Sequence, residues 1–323
     1  MTLSYRVVNK LNMTAEKPER SDEQAKEDLL SQSKQEGQEA TRRQPKDGEA
    51  TSQSKDHWTH AAYRASASFV PLLTQEIVLW LSPQPTDCIL DLGCGDGVLT
   101  AKIADSCPNI VGVDASANLI SAARESYGDD PVSWHVLDCR YMENSDMLVE
   151  GFYEKVFSNA ALHWILRDEE TRMSILRGVY KTLRLGGSFV FEMGGAGNVA
   201  DVHTALLAAL VHQGVSVKKA REACPWFFPS EQLITNMLQD VGFAVERTRL
   251  EYRPTKLTLE EGGGLEGWVR LMGAQFLEVL PEVATREAVV REVCDVLGSV
   301  VTREEDGSMW LGYVRLKVLA RKT

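Results

Sequence analysis

The sequence predicts an α/β fold, a mostly parallel sheet covered by helices on both faces. Three observations predict it. Short apolar runs alternate with helical stretches between positions 87 and 193. A glycine-rich turn, Asp91-Leu-Gly-Cys-Gly-Asp-Gly97, follows the first of those runs. A second run, Ile110-Val-Gly-Val-Asp114, ends in an acid about twenty residues later, where a dinucleotide-type unit places its ribose-binding carboxylate.

The strand candidates are 87–91, 110–114, 132–138, 154–159 and 187–193, and helices fall near 98–106, 116–126 and 168–184. The last helix meets Leu185-Gly186-Gly187, a suitable glycine stop. Upstream, Ala62, Phe69, Leu72, Leu73, Ile77 and Trp80 recur at helical spacing until Pro83 and Pro85 end the stretch. Right-handed crossovers would place every loop after a strand at one sheet edge, where ligands bind.

Positions 194–235 break this rhythm with an Ala- and Leu-rich helix over 199–212 and an aromatic turn, Pro225-Trp-Phe-Phe-Pro229. Strand-like runs return at 242–249 and 313–320. Between them lie two apolar helical stripes, Trp268, Leu271, Met272, Phe276 and Leu280, then Val289, Val290, Val293, Val296 and Leu297. Helical inserts near 194–235 and 260–303 read as a lid over the strand-end face.

The turn after the first strand defines a ligand by charge. Gly93, Gly95 and Gly97 let backbone approach a ligand closely. A dinucleotide fingerprint counted from Gly93 wants a small residue at 98, where Val98 stands. Asp91 would repel a pyrophosphate and attract an ammonium or sulfonium, and S-adenosylmethionine carries both cations and no phosphate. Asp114 reads either as a ribose ligand or as a helix N-cap. Asp138, at the end of the third strand run, reads as an adenine contact or as a solvated loop acid.

Composition bounds the rest. The chain has 323 residues and a formal charge of −11, and it lacks a basic stripe interleaved with aromatics, which argues against a nucleic-acid partner. No apolar run is long enough to span a bilayer. The six cysteines form no C-x-x-C pair, and neither they nor the histidines show metal-ligand spacing, so no metal and no disulfide framework is expected. A reducing, cytoplasmic setting follows. Positions 1–56 are polar, with Tyr5 as their only aromatic, and read as a disordered tail. Arg6 and Lys10, with no acid among the first fifteen residues, leave a mitochondrial leader as the alternative.

Three segments together carry a resemblance: Ile89 to Gly97, Val111-Gly-Val-Asp-Ala-Ser116, and Phe157-Ser-Asn-Ala-Ala-Leu-His-Trp164. They resemble class I S-adenosylmethionine-dependent methyltransferases. With Phe191-Glu-Met-Gly-Gly-Ala-Gly-Asn198 and Pro225 to Pro229, the chain is similar to the trans-aconitate methyltransferase-like group over about 58–322. The resemblance implies a Rossmann-like seven-stranded sheet, mostly parallel, whose last two strands form an antiparallel pair at one edge. It implies S-adenosylmethionine as cofactor, with Asp91, Gly93, Gly95, Gly97, Asp114, Asp138 and Asn159 around it.

The acceptor would be a small molecule, either a carboxylic acid or a secondary metabolite with an acidic hydroxyl. A carboxylate acceptor is already an anion and needs no base. For a hydroxyl acceptor His163 is the base candidate, and its alternative is packing under the lid. Trp164 and Trp226, with Phe227 and Phe228, could wall a flat acceptor or simply pack. Arg64, Arg253 and Arg315 could clamp a carboxylate or be solvated charges. A non-catalytic binding module on the same fold is the rival of a different class.

Overall fold

Seven strands form one sheet in the order β3-β2-β1-β4-β5-β7-β6 in a computed structural model of the chain. The described residues are 74–144, 148–258 and 263–323, with Asp56, Trp58, Thr59, Ala61, Ala62 and Ala65 before them. All belong to one compact unit, Asp47–Thr323. The polar tail apart from Asp56, the candidate Arg64 and most of the helical stretch at 59–73 lie outside the described residues.

The chain enters through α1 (Gln75–Leu81), which buries Ile77, Trp80 and Leu81. Then follow β1 (Cys88–Leu92), α2 (Val98–Ala104), β2 (Asn109–Asp114), α3 (Ala117–Tyr127), β3 (Val132–Val136), β4 (Tyr153–Asn159), α4 (Leu162–Ile165), α5 (Glu169–Thr182) and β5 (Leu183–Gly194). Strands β1 to β5 are parallel. Every residue of β1 is buried, as expected for a central strand covered on both faces. Side-chain caps start the helices that follow β2 and α4: Ser116 Oγ accepts from the Leu119 amide at 3.2 Å, and Asp168 Oδ1 accepts from the Glu170 amide at 3.0 Å.

The second half holds α6 (Ala200–His212), α7 (Val217–Glu222), α8 (Glu231–Val241), β6 (Phe243–Lys256), α9 (Gly264–Met272), α10 (Ala274–Glu278), α11 (Val283–Val301) and β7 (Trp310–Lys322). β7 runs antiparallel between β5 and β6, so the edge pair is the antiparallel one the resemblance implies. Helices α6, α9, α10 and α11 share a core around Trp226, Trp268 and Phe276. A second cluster fills the sheet around Ile77, Ile89, Trp134 and Phe157. The helical layer therefore has its own apolar support, each buried large side chain contributing about 1.5–3 kcal/mol.

The elements depart from the sequence reading in several places, β6 for example running on to Lys256. Helix α5 stops at Thr182, before the glycines: Leu183 is fully buried, extended and paired with Tyr153, so its burial draws 183–187 into β5. The stripe from Trp268 to Leu280 is two helices. They part at Gly273, where a Cβ would come 2.5 Å from the Val269 carbonyl oxygen. Val296 is 57% exposed and lies off the buried stripe of α11.

Candidate active site

The glycine turn is fastened to the neighbouring strand. The amides of Gly93 and Cys94 donate to the Val113 carbonyl at 2.8 and 3.0 Å. The Gly95 amide donates to Asp114 Oδ2 at 2.9 Å, and the Ser116 amide donates to Oδ1 at 2.9 Å. Asp114 thus joins the turn after β1 to the start of α3. Burial pushes its carboxyl above the usual carboxylate range, against the pull of those amides. Gly93 has φ +74°, and a Cβ there would meet the Ala161 Cβ at 2.2 Å, so no side chain is admitted where the turn passes α4.

Above this turn lies a cavity of about 240 Å³. Gly93, Gly95, Asp114, Asp138 and Asn159 line it, with Leu119, Leu137 and Ile165 as apolar walls. Asn159 ends β4, and its side-chain oxygen is buried without a hydrogen-bond partner. Asp138 is held by Arg140 through Nε at 3.0 Å and Nη2 at 2.5 Å. Burial raises the Asp138 carboxyl, but the Arg140 hydrogen bonds outweigh it and leave the pKa below its ordinary value.

A smaller cavity of about 70 Å³ adjoins the first, and Trp58, Ala160 and Trp164 line both. Its walls are aromatic: Trp164 lies 5.9 Å from Trp226, which stacks on Phe228 at 5.7 Å and 18°. Phe227 does not join them, because its ring takes the Arg172 guanidinium at 3.7 Å. Arg253 of β6 and Arg315 of β7 also line this cavity. Both bind Glu192 of β5: Arg253 Nη2 donates to Oε1 at 2.8 Å and Arg315 Nε to the same oxygen at 3.1 Å. Burial raises the Glu192 carboxyl, but Arg315 and Arg253 outweigh it and hold it low, as a carboxylate.

His163 lines the smaller cavity and is buried. Its Nδ1 accepts from the Gly194 amide at 3.4 Å, which leaves the hydrogen on Nε2. Burial, reinforced by Arg315, drives its pKa well below the imidazole value, so the ring is neutral.

Comparison with known proteins agrees with this geometry. The methyltransferase-domain family matches residues 89–187. The uncharacterized methyltransferase C70.08c of Schizosaccharomyces pombe is 35% identical over 268 residues, 83% of this chain and 99% of that one. This chain belongs to the methyltransferase family. A malonyl-[acyl-carrier protein] O-methyltransferase of Anoxybacillus flavithermus is 28% identical over 133 residues, 41% of this methyltransferase and 48% of that protein. A solved methyltransferase structure from Bacillus halodurans shares the fold, with TM-score 0.54 and 16% identity over 78% of this chain and 99% of that one.

The cofactor of this methyltransferase is S-adenosylmethionine. The larger cavity fits it, since the unsatisfied Asn159 oxygen is an acceptor awaiting a donor such as the amino group of the methionine moiety. The side-chain-free turn at Gly93 and Gly95 leaves room beside it.

Two of the expected cofactor residues lie outside the lining of the larger cavity. Asp91 is not among the lining residues: its Oδ2 accepts from Thr100 Oγ1 at 2.6 Å inside the protein, and burial pushes its carboxyl up to about 7. Gly97 is also absent from the lining, and packing against Trp134 explains the glycine there. Sequence reading assigned no role to Trp58, Gln275 or Glu192. Trp58 sits edge-on to Trp164 at 5.3 Å, and Gln275 of α10, bonded to Arg167, reaches the larger cavity. Both come from segments with no motif. Glu192 did carry a signal, as the one charge in the apolar run Phe189-Val-Phe-Glu-Met193.

Among the described residues, no cluster of His, Cys, Asp and Glu could hold a metal ion, and no helix is long and apolar enough to cross a membrane.

Proposed function

We propose that the protein transfers a methyl group from S-adenosylmethionine to an oxygen of a small carboxylic acid. One observation carries this reading: among the described residues, two arginines and no carboxylate line the chamber that shares a wall with the cofactor cavity. Guanidinium groups at that place attract an acid and repel a protonated amine. When bound, the cofactor supplies an activated methyl group that an anionic oxygen can take without losing a proton. The protein then has only to align acceptor and methyl, and positioning alone can lower such a barrier by about 7–11 kcal/mol.

His163 supports a carboxylate over an acidic hydroxyl. Its Nδ1 is engaged by Gly194 and Nε2 carries hydrogen, so the ring offers a donor and no free basic nitrogen. Similarity to malonyl-[acyl-carrier protein] O-methyltransferases supports an oxygen acceptor. Asp138 and Asp114 are assigned to the adenosine, and Asn159 to the methionine moiety. The six free cysteines support a reducing compartment.

The test is incubation with cofactor and a panel of small acids, phenols and amines, with products resolved by mass spectrometry. The expected product is a methyl ester that mild alkali hydrolyses. An alkali-stable ether or an N-methyl product would overturn the reading. Arg253→Ala should raise KM for the acid while leaving cofactor affinity in place.

A further inference from the structure

Two side chains of the smaller chamber each have one end fixed by a backbone amide, which turns a donor the other way. In His163, Nδ1 accepts from the Gly194 amide at 3.4 Å, so the ring hydrogen sits on Nε2. In Asn198, the Val314 amide donates at 2.9 Å, and only the amide oxygen can receive it, so Nδ2 keeps its two hydrogens for another partner. Asn198 is 4% exposed, and among the described residues neither Nδ2 nor His163 Nε2 meets an acceptor. The two donors flank one residue. Gly194 ends β5, its amide reaches His163, and a Cβ on it would lie 2.9 Å from Asn198 Nδ2. The segment that carries Asn198 is tied to β7, the Gly195 amide donating to the Val314 carbonyl at 2.9 Å and the Val199 amide to the Gly312 carbonyl at 3.0 Å. The donors are therefore in place before any ligand arrives.

We propose that Asn198 binds the methyl acceptor: with His163 it forms a pair of uncharged N–H donors that holds one oxygen of the acceptor's carboxylate and leaves the other oxygen for the methyl group. This rests on the carboxylic-acid reading and deepens it. Buried donors without acceptors carry a desolvation cost, and one oxygen with two lone pairs relieves both. A protonated amine has only donors and relieves neither. The held oxygen becomes the ester carbonyl. The other oxygen bonds the methyl carbon as the carbon–sulfur bond breaks with its electron pair left on sulfur, and neither donor gives up a proton. Both residues line the chamber and neither lines the cofactor cavity, so their loss should leave cofactor affinity in place.

The experiment uses three probes of one shape: 3-phenylpropanoate, an anionic acceptor, 4-phenyl-2-butanone, a neutral one, and 3-phenylpropylamine, which has no acceptor when protonated. Binding to the full chain loaded with S-adenosylhomocysteine is read from quenching of tryptophan fluorescence, because Trp58, Trp164, Trp226 and Trp268 line the chamber. Wild type should bind the acid most tightly. Asn198→Ala should weaken the acid about tenfold or more, the scale of one hydrogen bond to a charged group, and the ketone less. The amine should be unaffected. A merely structural role, anchoring Val314, would weaken all three alike.

Asn198→Asp keeps an oxygen for the Val314 amide and replaces the NH2 donor by a second oxygen, so it decides the matter even where Asn198→Ala fails to fold. At about pH 8.5, well above the ordinary carboxylate range, it should shift the ratio of acid to amine affinity at least about tenfold toward the amine. An unchanged ratio in the folded Asn198→Asp variant would overturn the proposal. So would an unchanged acid affinity in Asn198→Ala, or an equal loss for all three probes. Tightest binding of the amine or the ketone by wild type, or no saturable quenching by the acid, would instead overturn the carboxylic-acid reading on which the proposal rests.

Discussion

Gly97, at the start of α2, packs against the indole of Trp134 on β3 so closely that a Cβ would lie 2.6 Å from Cη2. The indole is 1% exposed and donates from Nε1 to the Gly128 carbonyl at 2.7 Å, so it cannot swing aside freely. Gly112 makes room for the same ring, with its own Cβ position 2.8 Å from Cε3.

Gly97→Ala is therefore expected to cost stability before it costs cofactor binding. Its φ of +81° adds about 1–2 kcal/mol for any L side chain, and overpacking the indole adds about 1–3 kcal/mol. Urea unfolding of the cofactor-free protein should show a lowered midpoint with an unchanged slope. Equal stability of variant and wild type, with cofactor affinity lost, would return Gly97 to the ligand site.

Asn159→Ala should behave in the opposite way. The side-chain oxygen is buried and unsatisfied, so removing it relieves a desolvation cost of about 1–3 kcal/mol in the free protein. The same oxygen is the proposed acceptor for the cofactor's amino group, and a hydrogen bond to a charged group contributes about 1.5–3 kcal/mol. Calorimetry with S-adenosylhomocysteine should show affinity reduced about ten- to a hundredfold in a variant that melts no lower than wild type. A lower melting temperature with unchanged affinity would remove Asn159 from the cofactor site.

What the sequence made legible follows from where each signal is local. The glycine turn, Asp114 and the strand–helix alternation depend on near neighbours, and all stand where pattern and spacing put them. Asp91 and Gly97 have the right residue types, but tertiary partners decide their roles: Thr100 takes the carboxylate and Trp134 takes the space. Arg253 and Arg315 were visible as candidates, whereas their link was not, because Glu192 lies 61 and 123 positions away from them in sequence. Trp58 and Gln275 reach the site across distances that no periodicity encodes.

Asp91 gives a pH dependence with a defined sign. Its carboxyl has an ordinary value of 3.8 and is pushed up to about 7 by burial in the folded protein. A group that holds its proton more tightly when folded contributes stability fully below about 3.8 and loses it as pH rises to about 7. The upper bound is about 4 kcal/mol, from 1.36 kcal/mol per pKa unit. Asp91→Asn keeps an acceptor for Thr100 and removes the titration. Its melting temperature should fall less than that of wild type between pH 4 and pH 8, the raised Asp114 remaining in both proteins. Identical pH profiles would mean that Asp91 is already charged at pH 4. Since Asp91 does not line the cavity, Asp91→Asn should also weaken cofactor binding less than Asn159→Ala does.

His163 titrates in the other direction, and that separates packing from catalysis. Burial and Arg315 depress its pKa, so the folded state disfavours the protonated ring and stability falls as pH drops below 6.5. If the acceptor is a carboxylate, no proton leaves it, and kcat should be flat from pH 6 to pH 9. General bases contribute about 10²–10⁴ in rate, so His163→Asn, which keeps a hydrogen-bonding side chain beside Gly194, should retain kcat within about tenfold. Its cost should appear in KM, because the ring packs on Trp164 at 5.5 Å and on Phe228 at 5.7 Å in the wall of the proposed acceptor chamber. Loss of kcat by a hundredfold or more, together with a pH profile that rises through the imidazole range in wild type alone, would make His163 the base and a hydroxyl the acceptor.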